Sequence, residues 1–320
     1  MSMEKNVTAS AQSSRMVWIG VALLSHFGWG AYPVLVRYLQ TKSGLPALSI
    51  NAAANIIVFA ILAFVVLPRI DWRFFRARFA WVFGVVIILR STTNILAPRY
   101  TLAMYAQLMT LMTPFIVALL SATFMHEQLP RYTGRALALS FVGATMMTLA
   151  ASSQGVRISL TTDDWIGIGL ALTSAFFLAI YMIFTRRAFS YHATEQSLLA
   201  FQSFVLMVSM IIGGWLVGED WSRWATIGIS DWLVFLAFAL LVILGGNLLQ
   251  MSALRRLSAP LVTALLASRL IATLIVGALL LGEYLTSIWQ FAGAIIVFIT
   301  ITWYLWQQRA KPLVEEPIES

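Results

Sequence analysis

The sequence predicts an all-α polytopic membrane protein with ten transmembrane helices arranged as two inverted five-helix repeats. Three observations carry that prediction: an apolar composition that no water-soluble core could use, ten apolar runs of spanning length, and two segment matches between the halves at nearly one offset. Of the 320 residues, 60% are hydrophobic and 11% charged, where soluble domains run at roughly 45–50% and about 25%. Lipid accommodates that much apolar surface and water does not. The 12 Trp and 20 Phe suit the same solvent, since aromatic rings fill apolar interiors and settle at membrane interfaces. Cysteine is absent, which excludes disulfides and thiolate metal sites. The histidines, His26, His126 and His192, are too scattered for a metal centre. A net charge of +8 does not point to nucleic acid, because the basic residues are spread between apolar segments rather than gathered on one face.

A hydrocarbon core about 30 Å thick takes around 20 residues of helix. Runs of that length lie at 16–40, 45–68, 79–98, 101–125, 132–152, 164–186, 196–218, 231–252, 258–281 and 286–308. Turn chemistry separates them at Lys42-Ser43-Gly44, Pro68, Pro98, Pro130 and Ser258-Ala259-Pro260. The run from Met16 lacks a small-residue cleavage site and is expected to be retained as the first span. Continuous runs, rather than alternating segments of about ten residues, argue against a β-barrel. The organisation expected is a tail at 1–15, a first five-span unit at 16–152, a linker at 153–163, a second unit at 164–308 and a tail at 309–320. With the N-terminus in the cytoplasm, 14 of the 21 basic residues fall on that side and 5 on the other. The positive-inside rule then places both termini in the cytoplasm.

The repeat is visible in two places. Ser25, Tyr32 and Arg37 near the end of span one recur as Ser174, Tyr181 and Arg186 near the end of span six, at an offset of 149. The tract from Leu119 through Glu127 to Leu129 matches that from Ile275 through Glu283 to Leu285, at an offset of 156. Five spans per half is an odd number, so the second half must enter the bilayer upside down, with Arg37 and Arg186 on opposite sides. Inverted repeats of this kind mark alternating-access transporters, whose solute site lies near the midplane where the halves meet.

On these residues the chain resembles the EamA-type transporters of the drug/metabolite transporter superfamily, over nearly its whole length. Each half opens with a small-residue helix containing Trp or Tyr and ending in Arg, and each has a fourth helix running into Glu127 or Gly282-Glu283. Pro114 looks like the family's proline in that fourth helix. The second half departs from the pattern with Leu270 at the corresponding place, and His126 replaces the glycine before the first glutamate. The resemblance implies a ten-helix basket with a central cavity lined by spans one, three, four, six, eight and nine. It also implies inner-membrane transport of small metabolites, often export of amino acids or related compounds.

Arg90 and Arg269 fall near the middles of spans three and nine. A charge at that depth costs about 2.5–3.5 kcal/mol on insertion scales. No acidic residue is predicted at either level. Two deep cations without fixed anions suggest a positive cavity that a carboxylate or phosphate could complete. The alternative is that backbone carbonyls, amides and water satisfy them structurally. Polar stripes at helical spacing accompany them: Arg90, Thr93, Asn94 and Ala97; Gln107, Thr110 and Pro114; Arg269, Ala272 and Thr273; Asn247 with Gln250; Asn51 with Asn55. His26, Trp29 and Tyr32 share a face of span one, and Tyr181 is the repeat partner of Tyr32. His26 could couple protons or be a polar core residue. The rings could stack on solute or pack helices.

The candidate substrate-binding set is therefore Arg90, Arg269, Asn94, Gln107, Trp29, Tyr32, Asn247 and Tyr181. Glu127, Glu283, Pro114 and His26 are candidates for structural or gating roles. The Arg-rich loop at 69–78 is expected to meet anionic lipid headgroups. No catalytic cluster, metal set or nucleotide loop is present. The expected partners are a small-molecule solute and lipid, with no cofactor and no nucleic acid, in a monomer or homodimer. Within transport, the alternative is export of amphiphilic or cationic compounds with structural arginines. An intramembrane sensor or enzyme is the remote alternative.

Overall fold

The structure is a computed structural model describing residues 2–66, 78–101, 103–125, 131–152, 162–190, 193–282 and 288–309. Among the described residues the chain is helical throughout, without a strand. In order these are α1 (Ser2–Thr41), α2 (Ala47–Val66), α3 (Arg78–Tyr100), α4 (Ala103–Thr110), α5 (Thr113–Leu120), α6 (Thr133–Ser152), α7 (Thr162–Phe189) and α8 (Glu195–Leu216). Then come α9 (Ile229–Ala237), α10 (Asn247–Arg256), α11 (Ala259–Ala264), α12 (Ser268–Leu281) and α13 (Ile288–Arg309). Among the described residues, seven helical stretches are long and apolar enough to cross a membrane: Arg15–Thr41, Ala47–Phe64, Arg78–Tyr100, Thr162–Phe189, Glu195–Leu216, Ile229–Arg256 and Ala259–Leu281. Thr113–Thr123 and Phe291–Tyr304 are shorter apolar helices.

Helix ends follow local chemistry. After α1, the amides of Lys42 and Ser43 both return to the Tyr38 carbonyl, and Gly44 takes φ +68°, a left-handed turn that a glycine adopts without strain. Thr194 caps α8 by accepting from the Ser197 amide at 3.1 Å. The α2 N-terminus is capped from afar: Glu219, beyond α8, accepts from the amides of Leu48 and Ser49 at 2.9 and 2.8 Å. A carboxylate on two orphan amides is a charge-assisted cap at the positive end of the helix dipole. Glu219→Ala is expected to lower thermal stability in detergent by about 1–2 kcal/mol, the usual range for losing a helix cap.

Several boundaries differ from those the sequence suggests. α1 extends back to Ser2, through the tail expected at 1–15. α3 runs past Pro98 to Tyr100, because a proline late in a helix forfeits one bond without ending it. The apolar run at 101–125 is interrupted at Leu111-Met112, and Pro114 starts its second piece. The run at 258–281 tightens into a 3₁₀ turn at Leu265–Ala267. Between α9 and α10 the helix widens into a π segment at Phe238–Gly246, a form that concentrates at functional sites.

The bundle is apolar outside and polar within. Phe64, Trp81, Leu119, Leu241, Leu279 and Phe298 face outward, a surface only lipid can cover. Ser25, His26, Asn51, Asn55, Gln107, Gln202, Asn247 and Gln250 are buried inside. The extensive packing pairs are α3 on α7, α1 on the α9–α10 segment, α1 on α12, α7 on α4 and α5, α2 on α8, and α6 on α13. Small residues allow the closest approaches: at Gly143 an added methyl would stand 2.8 Å from the Gly293 carbonyl.

Polar contacts sort the helix ends into two layers. Arg37 donates to the Thr101 carbonyl at 2.7 Å, and Thr101 donates to Asp164 at 3.1 Å. The ends of α1 and α3 thus lie beside the start of α7. At the other end of the bundle, Arg255 ion-pairs with Glu195 at 3.0 Å and lies over the Phe189 ring that closes α7. Arg37 and Arg186 are therefore at opposite ends of the bundle. The loop at 67–77 lies outside the described residues, and so does the expected lipid contact of its arginines.

Candidate functional site

The two deep arginines converge on one tryptophan. Arg90 of α3 places its guanidinium carbon 5.0 Å from the Trp29 ring centroid and 4.4 Å from that of Tyr181. Arg269, in the first turn of α12, lies 5.5 Å from the same Trp29 centroid. The two cations are no further apart than the sum of those two Trp29 distances. At an effective dielectric of about 20 their repulsion is at least about 1.6 kcal/mol. Among the described residues they are the only charged side chains in the buried set, so no carboxylate shares their level. Ring faces supply part of the compensation, since a guanidinium over an aromatic face is attracted to its quadrupole.

α1 positions the centre because it is packed on two sides. Gly30 lets it approach α12 so closely that an added Cβ would stand 2.3 Å from the Arg269 carbonyl oxygen and 2.6 Å from the Ala272 Cβ. Thr273 locks that contact by donating to both the Gly30 and Arg269 carbonyls, at 2.7 and 2.9 Å. On the other side Ser25 donates to the Gly246 carbonyl at 2.8 Å. His26 fastens Arg269: its Nδ1 faces the Arg269 Nε at 3.2 Å and its Nε2 faces the Val262 carbonyl at 2.8 Å. Arginine and a carbonyl leave one arrangement, with the proton on Nε2 and Nδ1 accepting. Both ring nitrogens are engaged within the protein, and the histidine braces the arginine.

A second polar chain runs from Arg90 through its ring partner. Tyr181 donates to Gln202 at 2.7 Å, Gln202 to Asn247 at 3.4 Å, and Asn247 to the Ile243 carbonyl at 2.7 Å. Two small cavities flank Trp29. The first is lined by Trp29, Tyr32, Arg90, Asn94, Gln107 and Arg269, with Pro33, Pro98, Ala106, Thr110, Ser174 and Leu178 completing the wall. The second shares Trp29, Tyr32, Arg90 and Asn94 and adds Asn51, Ser91, Gln202 and Asn247 among others. The space open to the centre of a water molecule is about 20 Å³ in the first and about 10 Å³ in the second. That holds a water, not an organic solute. The bundle is contracted around this centre.

Of the residues singled out in the sequence, Trp29, Tyr32, Arg90, Asn94, Gln107 and Arg269 meet at the first cavity and Asn247 at the second. Tyr181 stands behind Arg90 and His26 behind Arg269. Pro114 is buried at the start of α5, where the neighbouring Thr113 donates to the Ala175 carbonyl of α7; neither cavity includes it. Thr93 returns its hydroxyl to Leu89 of its own helix, and Ala97 packs with Ala106 and Ala171. The cavity stripe on α3 is therefore Arg90, Ser91, Asn94 and Pro98. Glu127 and Glu283 lie outside the described residues. The wall also draws on α2 and α8, beyond the six spans that the resemblance implies. Gln202 is a site residue that stripe reasoning passed over, although an amide in the interior of the run 196–218 was itself a signal.

The pattern of the EamA-like transporter family matches residues 165–306. A comparison with curated proteins gives no match. Twenty-eight solved chains resemble this fold. One, described only as the crystal structure of a protein, superposes with a TM-score of 0.68 over 90% of this chain and 99% of its own, at 16% identity. That likeness concerns the fold alone. The family match falls on the stretch from α7 to α13, whose first helix contributes Tyr181 and whose ninth apolar run contributes Arg269. Over that stretch the chain is similar to the EamA-type membrane transporters of the drug/metabolite transporter superfamily.

Proposed function

We propose that this protein is a secondary transporter that moves a small organic solute, preferentially an anion, by alternating access through the cavity at Trp29. The observation that carries the solute class is the pair Arg90 and Arg269 on one buried ring, with no buried carboxylate among the described residues. A fixed positive pair in a low-dielectric interior is costly unless something neutralises it. A bound anion does so.

The architecture proposed for this cycle has ten crossings in two inverted units, 16–152 and 164–308, with both termini cytoplasmic in the inner membrane. Helix pairing supports it. Exchanging each segment with its counterpart five spans along carries α3 on α7 into the α9–α10 segment on α1, and α1 on α12 into α7 on α4 and α5. The pairs α2 with α8 and α6 with α13 map onto themselves. Atomic details follow the same exchange. Ser25 donates to Gly246 and its partner Ser174 to Arg90, while Tyr32 lies 5.5 Å from Phe238 and its partner Tyr181 lies 5.5 Å from Phe83. The two charges break this symmetry, since α3 carries Arg90 where the second half has Gly246. One chain supplies both halves, so a monomer suffices, with lipid as its only surrounding partner.

Uptake into proteoliposomes tests the proposal, using panels of carboxylated, phosphorylated, neutral and cationic metabolites. Saturable uptake weighted to the anions is the expected result. Cysteines placed at 37 and 186 in a cysteine-free background are expected to react with impermeant maleimide from opposite faces; reaction from one face would sink the inverted architecture. A second reading, export of cationic amphiphiles, draws on the stacking of Arg90 between Trp29 and Tyr181, which could be structural. It predicts uptake weighted to cations.

A further inference from the structure

Three residues that line the first cavity each carry a buried nitrogen with no partner among the described side chains and backbone: Trp29 Nε1, which stands against Gly246, Gln107 Nε2 and Arg269 Nη2. Their residues are 4%, 3% and 3% exposed, and all three line the same wall. A buried donor without an acceptor costs about 1–3 kcal/mol, so three in one place are a standing demand for acceptors. The Gln107 amide can turn either way, but an indole nitrogen and a guanidinium nitrogen only donate. The geometry explains why Arg269 keeps one nitrogen free. Its Nε is taken by His26, which is itself fixed by Val262. The guanidinium is thereby held through Nε, and the adjacent Nη2 on the same edge is left for a ligand. Opposite it, Arg90 adds positive charge without needing a direct bond.

The same wall offers little to an ammonium group. Among the described residues no acidic side chain lines it, and the two rings best placed to receive a cation, Trp29 and Tyr181, already carry guanidinium groups. The apolar part of the wall, Pro33, Pro98, Ala106 and Leu178, suits a short apolar tail.

We infer that the site takes an organic oxyanion without an ammonium group: a carboxylate, sulfonate or phosphonate head on Arg269 Nη2, Trp29 Nε1 and Gln107 Nε2, with its apolar remainder against the prolines. This rests on the transport proposal above and narrows it, because it places α-amino acids and other zwitterions among the poor substrates. The competing acceptors are the amide oxygen of Asn94, the hydroxyls of Tyr32, Thr110 and Ser174, and backbone carbonyls. Pro33 and Pro98 lack the N–H that would bond the carbonyls of Trp29 and Asn94, four residues earlier, and those oxygens could receive an ammonium if they face the solute.

A matched series decides between them: propane-1-sulfonate, 3-aminopropane-1-sulfonate and propane-1-sulfonamide, supplied as radiolabelled probes to proteoliposomes at pH 7. The sulfonate is permanently ionised, so passive leak of a neutral acid does not mask transport. Expected is kcat/KM for propane-1-sulfonate at least tenfold above both the zwitterion and the neutral amide. Trp29→Phe and Gln107→Leu are each expected to raise its KM severalfold with kcat little changed, and the double change more than either. If 3-aminopropane-1-sulfonate or the amide equals or exceeds the sulfonate, the inference falls while transport stands. It falls likewise if Trp29→Phe and Gln107→Leu leave the KM for propane-1-sulfonate unaltered. If neither this series nor the wider metabolite panel moves, the transport proposal falls with it.

Discussion

Gly30→Val is expected to separate α1 from α12 and abolish transport. A Cβ at position 30 would meet the Arg269 carbonyl oxygen at 2.3 Å and the Ala272 Cβ at 2.6 Å, both on the backbone-proximal part of a packed helix. Neither neighbour is the far end of a flexible side chain, so the helices themselves must move. Overpacking usually costs about 1–3 kcal/mol, and this contact belongs at the upper end. The displacement also breaks the Thr273 bond to the Gly30 carbonyl and shifts Arg269 away from His26. Gly20→Val is the control: Gly20 lies on the same helix with nothing within 4 Å. Thermal unfolding in detergent should show a large drop for the first and almost none for the second. Equal melting temperatures would mean that α1 and α12 are not packed as described.

Arg90→Met is expected to separate stability from function in the opposite sense. Methionine fills much of the arginine's volume without a charge, and removing a buried cation that lies close to a second one relieves repulsion and desolvation together. Replacing buried charges by apolar residues of similar volume is often neutral or stabilising, by about 1–4 kcal/mol where it stabilises. The melting temperature is therefore expected to hold or rise. Anion uptake is expected to fall at least tenfold, equivalent to about 1.4 kcal/mol of lost interaction with the solute. Arg90→Lys should recover only part of it, since an ammonium lacks the planar face that lies over Trp29 and Tyr181. Joint loss of stability and uptake in Arg90→Met would mark Arg90 as a structural ion, and the solute would then have to be recognised elsewhere.

How far the site was legible depended on the range of the physics behind each feature. The depth of Arg90 and Arg269 could be read directly, because each interrupts an apolar run that is otherwise long enough to span. Their shared ring could not. Trp29 meets them because Gly30 and Ser25 let α1 settle between α12 and the π segment, and no stripe on a single helix reports that. The stripes themselves were partly misleading. Thr93 has the right spacing to face the cavity, yet its hydroxyl bonds back to its own helix, as threonines in apolar helices do. His26 had two open roles in the sequence; the bond to Arg269 spans 243 residues and exists only in the folded chain. Pro114 marked an interruption of the fourth run, but the matching interruption at Leu265–Ala267 carries no proline and so gave no local sign.

By itself, the sequence determined the solvent, the approximate positions of the apolar segments and the placement of two cations inside them. Each of these is a sum of per-residue transfer energies along a contiguous stretch, and needs no knowledge of neighbours. The tertiary structure alone decided which helices touch, how Arg269 is braced and which nitrogens are left without acceptors. Those outcomes turn on approaches of a few ångströms between helices far apart in the chain. In an apolar alphabet many such packings have nearly the same hydropathy, so only the packed geometry distinguishes them.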